Sequence, residues 1–403
     1  MLTREALVDP IRNPFNPGAG TQPPELAGRA DEIQQIKHLM ARAEAGHHEK
    51  SLMVTGLRGV GKTVLLNRLL AEAEENGWAA DLVEVRGPKD HPAEFREVMA
   101  TMCRRTLLEL GRDQQVMDVM RRALRTLRSF RPTATPTESG SVEFSFGIEP
   151  MAGIADSGQL DRDLGDLFIE IGKVAREKRK GIILLLDEVQ NLATADLAAL
   201  ITALHRVDQK GLPVTAVAAG LPKLPTLASE AKSYAERLFD FRKIGQLSAT
   251  DTKLAFTEAD DAVKWEKEAL DILVAMTDRY PHFIQEWGKQ AWNVAPRSPI
   301  RARDVEAAHG LVMDQLDRTF FRDRANRATE RERQYLAAMA SLGDGPYRSA
   351  AVAAAMDAKP QAIGLFRDHL IHKGLIYAPD HGLVDFTVPH FADYMRRSTM
   401  AEH

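Results

Sequence analysis

The chain has 403 residues, a formal net charge of −4 and a hydrophobic content of 44%, so we expect a globular protein of two or three domains. Because the charges balance and no polybasic tail is present, any nucleic-acid surface must be local. Cys103 is the only cysteine, which excludes a disulfide framework and a cysteine-based zinc site and predicts a buried structural thiol. An apolar leader and an apolar run of about 18 residues are both absent, which predicts a cytoplasmic protein without a membrane contact.

The chain begins with a proline-rich segment, residues 1–27, which predicts an extended lead-in because prolines at this density prevent a long helix. A helix is predicted from residue 28 onward, since apolar residues recur at helical spacing from Ile33 to Met40.

Residues 51–63 carry the most informative motif. Ser51–Thr55 predicts a buried strand, and the helix that follows the motif begins at Val64. Between them, residues 56–63 fit G-x-x-x-x-G-K-[ST] at every fixed position. In such a loop the backbone N–H groups cradle phosphate oxygens, Lys62 reaches the terminal phosphates, and the Thr63 hydroxyl ligates Mg²⁺.

The next elements are a strand over residues 79–85 and a helical stretch from Pro92 to about Phe130. Arg121, Arg125 and Arg128 share one face of that helix because their spacing is i, i+4, i+7. This face predicts either a nucleic-acid contact or an ordinary solvated surface. Residues 131–160 are rich in Pro, Thr, Ser and Gly, with an alternating strand predicted at 142–148.

A second apolar strand, residues 182–186, ends in Asp187 and Glu188. A carboxylate at the end of a parallel strand beside a phosphate loop suits a Mg²⁺ ion, the role expected for Asp187, and Glu188 could polarise the attacking water. Another buried strand is predicted over residues 213–220. Strands that alternate with helices predict an α/β fold, a P-loop parallel sheet with helices on both faces.

Residues 325–400 predict a separate module in which three helices precede a β-hairpin, the element order of a winged helix. The third helix, 360–373, has a core stripe of Ile363, Phe366, Leu370 and Ile371. A winged helix usually places this helix in the major groove of DNA. Residues 325–403, however, contain nine basic and nine acidic side chains, so phosphate neutralisation favours DNA only weakly and a protein-docking module is the alternative.

These features together resemble the AAA+ superfamily, within it the branch of origin-recognition and initiator ATPases, archaeal-type ATPases and signalling (STAND) ATPases. The resemblance covers roughly residues 13–320. It implies that Pro23–Arg29 holds the adenine, that Asp187-Glu188-Val189-Gln190 is the Walker B element, and that Arg237 is the arginine finger acting on a neighbouring subunit. The alternative for Arg237 is a surface ion pair with Glu236 or Asp240. Thr277–Gln285 resembles the helical-lid stretch whose proline, Pro281, lies near the nucleotide. The nucleotide-binding residues implied by the motif and the resemblance are Gly28, Arg29, Gly56, Leu57, Arg58, Gly59, Val60, Gly61, Lys62, Thr63, Val64 and Pro281.

Two positions depart from the family pattern. Ala218-Ala219 stands at the end of the fourth core strand where many AAA+ proteins have a polar γ-phosphate sensor, and Thr215 comes too early to replace it. Arg279 stands where the lid commonly has glycine, so it is either a phosphate sensor or a surface residue. Both departures put fast hydrolysis in doubt and leave nucleotide binding intact.

The resulting expectation is an ATP- and Mg²⁺-binding AAA+ nucleotide switch with ATPase activity. Its predicted domains are the lead-in 1–27, the ATPase core 28–248, a helical lid 249–322 and a winged helix 325–400. It is expected to form a homo-oligomer and to act on double-stranded DNA. The alternative is a STAND-like signalling or defence ATPase whose winged helix contacts protein.

Overall fold

The computed structural model describes residues 7–18, 20–47, 49–86, 94–111, 117–130 and 154–401. The chain divides into two compact units. We call residues 29–56 and 62–244 the sheet unit, and residues 1–28, 57–61 and 245–403 the helical unit. The strand predicted at 142–148 lies outside the described residues.

The sheet unit contains a parallel sheet that has five strands among the described residues, in the order β2-β3-β4-β1-β5. The strands are β1 (Ser51–Thr55), β2 (Ala79–Glu84), β3 (Ile182–Asp187), β4 (Val214–Gly220) and β5 (Phe239–Lys243). Every residue of β1, β3 and β4 is buried, as expected of continuous apolar runs covered on both faces. The first four strands confirm the sequence prediction, whereas β5 was not predicted.

The helices of the sheet unit are α1 (Ala30–Glu44), α2 (Lys62–Glu75), α3 (Glu94–Leu110), α4 (Met117–Phe130), α5 (Leu160–Glu177), α6 (Thr194–Asp208), α7 (Leu224–Ala231) and α8 (Ala235–Leu238). The helices α3 and α4 confirm, for the described residues, the helical stretch predicted from Pro92 to about Phe130. The predicted arginine face lies on α4, where Arg121, Arg125 and Arg128 are exposed and Leu127 is buried on the opposite side.

The core of the sheet unit is closely packed, and two positions show how little space it leaves. A Cβ on Gly181 would lie 2.4 Å from the Trp78 ring, so only glycine fits beside that buried indole. Cys103 is fully buried in the same core, and burial raises the pKa of its thiol far above the usual range. The prediction of a structural thiol is thus confirmed.

The helical unit begins with the lead-in, which packs on α11. Its helices before the last module are α9 (Ala249–Thr257), α10 (Lys267–Met276), α11 (Pro281–Val294), α12 (Ala302–Leu316) and α13 (Arg322–Ala325), with a π-helical turn at Asp317–Phe321. The buried Phe15 ring lies against Gly288, where a Cβ would come within 2.5 Å of it, and the Asn13 side chain donates to the Lys289 carbonyl at 2.9 Å. The lead-in is consequently anchored by specific packing.

The C-terminal module of the helical unit has the predicted order of three helices and a hairpin. Its elements are α14 (Glu330–Ser341), β6 (Tyr347–Arg348), α15 (Ser349–Ala355), α16 (Pro360–His372), β7 (Ile376–Tyr377), β8 (Leu383–Phe386) and α17 (Phe391–Ala401). The three short strands are antiparallel in the order β6-β8-β7. Within the core stripe predicted for α16, Ile363 and Leu370 are buried and Phe366 and Ile371 half-buried. Neither β6 nor α17 was predicted.

Among the residues that the structure describes, no helix combines the length and the apolar character that a membrane crossing requires.

Candidate nucleotide site

The two ends of the loop 56–63 lie at the carboxyl end of β1, in the sheet unit. The Gly56 N–H donates to the Gly220 carbonyl at 3.1 Å, and the buried Lys62 ammonium donates to the Gly56 carbonyl at 3.0 Å. Lys62 is also the first residue of α2, followed by Thr63 and Val64. The N–H groups of a first helical turn have no partner within the helix and suit an anion. The chain thus places a buried cation and a helix N-terminus together.

Thr63 and Asp187 lie together, as the sequence predicts for a metal site. The Thr63 hydroxyl donates to Asp187 Oδ2 at 2.5 Å, and Asp187 Oδ1 accepts from the Glu188 N–H at 2.8 Å. Burial raises the pKa of Asp187, opposed by these hydrogen bonds and by the nearby Lys62. A bound cation would offset the cost of burying this carboxylate. Because carboxylate and hydroxyl oxygens are preferred Mg²⁺ ligands, the residues present fit that metal.

The Glu188 side chain is held by Gln190, a residue with no predicted role of its own. The Gln190 side-chain amide donates to the Glu188 carboxylate, and its carbonyl oxygen accepts from the Leu221 N–H at 2.9 Å. Gln190 is 7% exposed, and a Cβ on Gly220 would lie 2.6 Å from its Oε1. Gln190 therefore ties Glu188 to the end of β4. The signal in the sequence was its position, two residues after Glu188 in the Walker B element.

The end of β4 has no polar side chain at the position where many AAA+ proteins have a γ-phosphate sensor. Ala218 and Ala219 are fully buried and face neighbouring strands, Ala219 opposite Val54 of β1. Thr215 lies near the start of β4, where its hydroxyl is 3.1 Å from that of Ser51. The residues at this position therefore cannot contact a phosphate through a polar side chain.

The tip of the loop, Leu57–Gly61, belongs to the helical unit and packs on the start of α11. Gly59 and Gly61 have φ values of +82° and +90°, which glycine adopts readily. Pro281 is the first residue of α11, and the His282 N–H after it donates to the Gly59 carbonyl at 3.3 Å. The buried Tyr280 ring lies over Gly59, where a Cβ would come within 2.8 Å of it. Leu57 and Arg58 are half-buried and Val60 is buried.

Tyr280 also contacts the C-terminal module. Its hydroxyl donates to the Thr387 carbonyl at 3.3 Å, just after β8. Thr387 is itself buried, and its hydroxyl donates to the Gly374 carbonyl at 2.8 Å. One tyrosine thus connects the tip of the phosphate loop with the hairpin of the C-terminal module.

The predicted adenine segment divides between the two units. In the helical unit, Gly28 has a φ of +68°, and a Cβ there would lie 3.0 Å from an Asp251 carboxylate oxygen. In the sheet unit, Arg29 precedes α1 and is 7% exposed. Arg29 is thus buried, whereas Gly28 is exposed.

The structure does not bring Arg237 to Lys62 within one chain. Arg237 is exposed on α8, two residues before β5, and Phe239 of β5 pairs with Ser51 at the start of β1. The loop follows the opposite end of β1, a strand of five residues, so on the order of 15 Å separates the two edges. Arg237 makes no ion pair with any described residue, so the alternative of a surface ion pair with Glu236 or Asp240 is not observed.

Arg279 is the residue before Tyr280. Its guanidinium approaches the Gln246 side-chain oxygen at 3.4 Å in an exposed position. Its φ of +55° is left-handed, a conformation that glycine adopts without strain. The structure favours the interpretation of Arg279 as a surface residue.

One basic residue of α16 and the lysine that follows the helix are already paired. Lys373, which follows α16, donates to the buried Glu332 carboxylate at 2.5 Å, and Arg367 lies 3.2 Å from Asp368. Lys359 and Gln361 at the start of this helix are exposed. The helix therefore presents little uncompensated positive charge.

A parallel sheet with helices around it, a glycine-rich loop at the end of β1 and a carboxylate at the end of β3 define a P-loop nucleotide-binding fold. Residues 25–217 match the family model described as an AAA ATPase domain. Residues 318–395 match a second model, described only as a domain of unknown function.

Solved structures have the same fold at low sequence identity. A Walker-type ATPase of Pyrococcus abyssi is 14% identical with a TM-score of 0.52, covering 93% of this chain and 97% of its own. The ORC2 protein of Aeropyrum pernix, in complexes with ADPNP and ADP, is 16% identical with a TM-score of 0.51, covering 96% and 98%. Comparison with curated proteins found no match.

Proposed function

We propose that this protein is a Mg²⁺-dependent ATPase that works as a nucleotide switch. The observation that carries the proposal is the contact of the Thr63 hydroxyl with Asp187, beside the buried ammonium of Lys62. These are the groups that hold a metal and the terminal phosphates of a nucleotide in a P-loop fold.

Each residue has a chemical role in this proposal. Lys62 binds phosphate oxygens, and Thr63 and Asp187 hold Mg²⁺, which supplies charge neutralisation at the phosphates when bound. Glu188 orients the attacking water and accepts its proton, held in place by Gln190. Because the end of β4 offers no polar sensor, we expect slow turnover.

Binding of a fluorescent ATP analogue, with and without Mg²⁺, tests the proposal. Lys62→Ala is expected to weaken ATP binding at least tenfold, and Asp187→Asn is expected to remove the dependence on Mg²⁺. Lys210→Ala, an exposed lysine of the sheet unit, is the control. Undiminished binding by Lys62→Ala would refute the proposed site.

We further assign the lead-in to residues 1–27, the ATPase core to 28–248, the lid to 249–322 and a winged helix to 325–400. Support for the winged helix comes from the order of α14, α15 and α16 followed by the β7–β8 hairpin. The strand β6, antiparallel to β8, completes a small sheet beside those helices.

The nucleotide switch is proposed to act on double-stranded DNA. Support comes from exposed arginines on one helix, α4, at positions 121, 122, 125 and 128, because clustered cations release counterions from DNA phosphates. Arg121 and Arg122 also form ion pairs, with Asp118 and Glu170. Filter binding of duplex DNA with and without ATP tests this part. Replacing Arg121 and Arg125 with Gln should lower affinity and flatten its salt dependence, and no binding above background at low salt would reject DNA as the partner.

A second candidate is a signalling ATPase in which nucleotide controls self-assembly and the C-terminal module contacts protein. The pairing of Lys373 with Glu332 favours it, as does the 62% exposed Leu365 on α16. In either function, Arg237 would act on the nucleotide of a neighbouring subunit. Light scattering with ATP and without DNA separates the candidates, and Arg237→Ala should lower ATPase activity without changing ATP affinity.

A further inference from the structure

Residues 7–18 lie along the helix α11, and we call them the N-terminal strap. Both belong to the helical unit. The strap runs in the opposite direction to the helix, from beyond its C-terminal end back to its middle. The backbone contacts are a β-bridge between Leu7 and Arg297, a hydrogen bond from the Val8 N–H to the Pro296 carbonyl at 3.4 Å, one from Trp292 Nε1 to the Asp9 carbonyl at 2.9 Å, and one from the Asn16 N–H to Gln285 Oε1 at 3.2 Å. The strap is therefore bound at several successive points.

An aromatic pocket anchors the strap at Phe15. The ring is 2% exposed, and its centroid lies 5.7, 6.0 and 6.3 Å from those of Phe256, Trp265 and Trp292. Gly288 of α11 leaves the space for it, since a Cβ there would come within 2.5 Å of the ring. Burial of an aromatic ring in such a cluster is a large favourable term. Removal of this one side chain should therefore release the strap from α11.

Asn13 adds a polar anchor two residues before the ring. Its Nδ2 donates to the Lys289 carbonyl at 2.9 Å and to Asn293 Oδ1 at 2.7 Å, and its Oδ1 accepts from the Phe15 N–H at 3.0 Å. By contrast, the Ile11 side chain is 94% exposed. The strap thus contains two side chains that bind α11 and, close by, one that faces solvent.

The first turn of α11 holds the tip of the phosphate loop, which belongs to the same compact unit. The His282 N–H donates to the Gly59 carbonyl at 3.3 Å, and the Tyr280 ring, just before the helix, lies over Gly59. The helix has 14 residues, a length of about 21 Å, and a packed helix moves as a rigid element. A single rigid element therefore carries the strap on one part and the loop tip at its first turn.

We propose that the N-terminal strap is a latch that controls nucleotide affinity through α11. While Phe15 is seated in its pocket, α11 is held against the loop tip; when the strap is released, the tip loses this support and the nucleotide is bound more weakly. The proposal rests on the proposed function, since it requires a nucleotide in the loop. Because such coupling is reciprocal, a bound nucleotide must hold the strap down by the same factor by which the strap strengthens nucleotide binding.

Titration of the full-length protein with a fluorescent ATP analogue and Mg²⁺ measures the effect of the strap on affinity. Phe15→Ala is expected to weaken binding about three- to tenfold, the equivalent of one backbone hydrogen bond between α11 and the loop tip. Asn13→Ala should act in the same direction and gives an independent measurement should Phe15→Ala fail to fold. Ile11→Ala, on the same strap, is the matched control and should leave the affinity unchanged. A purely structural role would lower the urea midpoint but not the affinity of the folded molecules.

The reciprocal effect is measured by the reaction of a soluble thiol reagent with the Phe15→Cys variant. A thiol at this buried position reacts only while the strap is lifted, so ATP with Mg²⁺ should slow the reaction by about three- to tenfold. Cys103, the only native cysteine, is fully buried, and the parent protein gives its background rate.

Two results would overturn the latch while leaving the proposed function intact. The first is an unchanged ATP affinity in the folded Phe15→Ala and Asn13→Ala variants. The second is a reaction rate of Phe15→Cys that ATP does not alter. A parent protein that binds no ATP would overturn both the latch and the proposed function.

Discussion

Removal of the Gln190 side chain should slow hydrolysis without weakening nucleotide binding. Its amide is a bridge, because it donates to the Glu188 carboxylate and accepts from the Leu221 N–H at 2.9 Å. In Gln190→Ala the Glu188 carboxylate loses a charge-assisted hydrogen bond, an interaction worth about 1.5–3 kcal/mol. Since each 1.4 kcal/mol on a barrier corresponds to about a tenfold change in rate, we expect kcat to fall about 10- to 100-fold.

The same substitution should lower stability by a separate amount. The Leu221 N–H is in a buried position and would lose its acceptor, which costs about 1–3 kcal/mol of unfolding free energy. KM for ATP should remain within about twofold, because Gln190 contacts Glu188 and the end of β4 rather than the phosphate loop. Measured together, kcat, KM and the free energy of unfolding distinguish a positioning role from a general loss of structure.

Phosphate release under saturating ATP measures kcat, and urea unfolding measures stability. Gln209→Ala is the control, since Gln209 is exposed and hydrogen bonded only to His205 in the structure as described. In a Glu188→Gln background, Gln190→Ala should cause no additional loss of rate, because the group that it positions is already gone. An unchanged kcat in Gln190→Ala would refute the positioning role. So would a further fall in kcat, as large as in the parent, when Gln190→Ala is added to Glu188→Gln.

Three further predictions concern the helical unit. Gly59→Ala should lower the unfolding free energy more than Gly46→Ala, by about 1–3 kcal/mol, since both have positive φ but only at Gly59 would a Cβ meet the Tyr280 ring; equal losses in urea unfolding would contradict this. The free energy of unfolding of Glu286→Gln, relative to that of the parent, should increase between pH 5 and 8 by an amount on the order of 3 kcal/mol. The reason is that burial raises the pKa of Glu286 from 4.5 to about 7. In that range the folded parent binds more protons than the unfolded chain and so loses stability as the pH rises; a difference independent of pH would refute it. Lys373→Gln should cost about 1–3 kcal/mol, measured as a lower urea midpoint, because a carboxylate with 2% exposure loses its ammonium partner; an unchanged midpoint would show that the pair adds nothing.

The central strands and the loop could be predicted from sequence because their signals are local. The strands β1, β3 and β4 are continuous apolar runs, and their ends carry Gly56, Asp187 and Gly220. Strand β5 was missed because its five residues include Asp240, Arg242 and Lys243, which is possible only at a sheet edge.

The remaining parts of the site depend on contacts between distant residues. Nothing near Tyr280 in the sequence points to Gly59, because the two meet only where the start of α11 packs on the loop tip. Gln190 had a local signal, its place in the Walker B element, but its hydrogen bond to Leu221 becomes apparent only when β3 and β4 are adjacent. Sequence reasoning therefore located the chemistry, whereas the residues that position it required the fold.

The contact of Tyr280 with Thr387 has a practical consequence for any shortened version of this chain. Ending the chain before the C-terminal hairpin would uncover an aromatic ring that is 1% exposed and deprive its hydroxyl of the carbonyl 3.3 Å away. That ring rests directly on Gly59. Activities measured on a truncated ATPase portion would thus describe a differently supported phosphate loop, and the intact polypeptide is the proper object for kinetics.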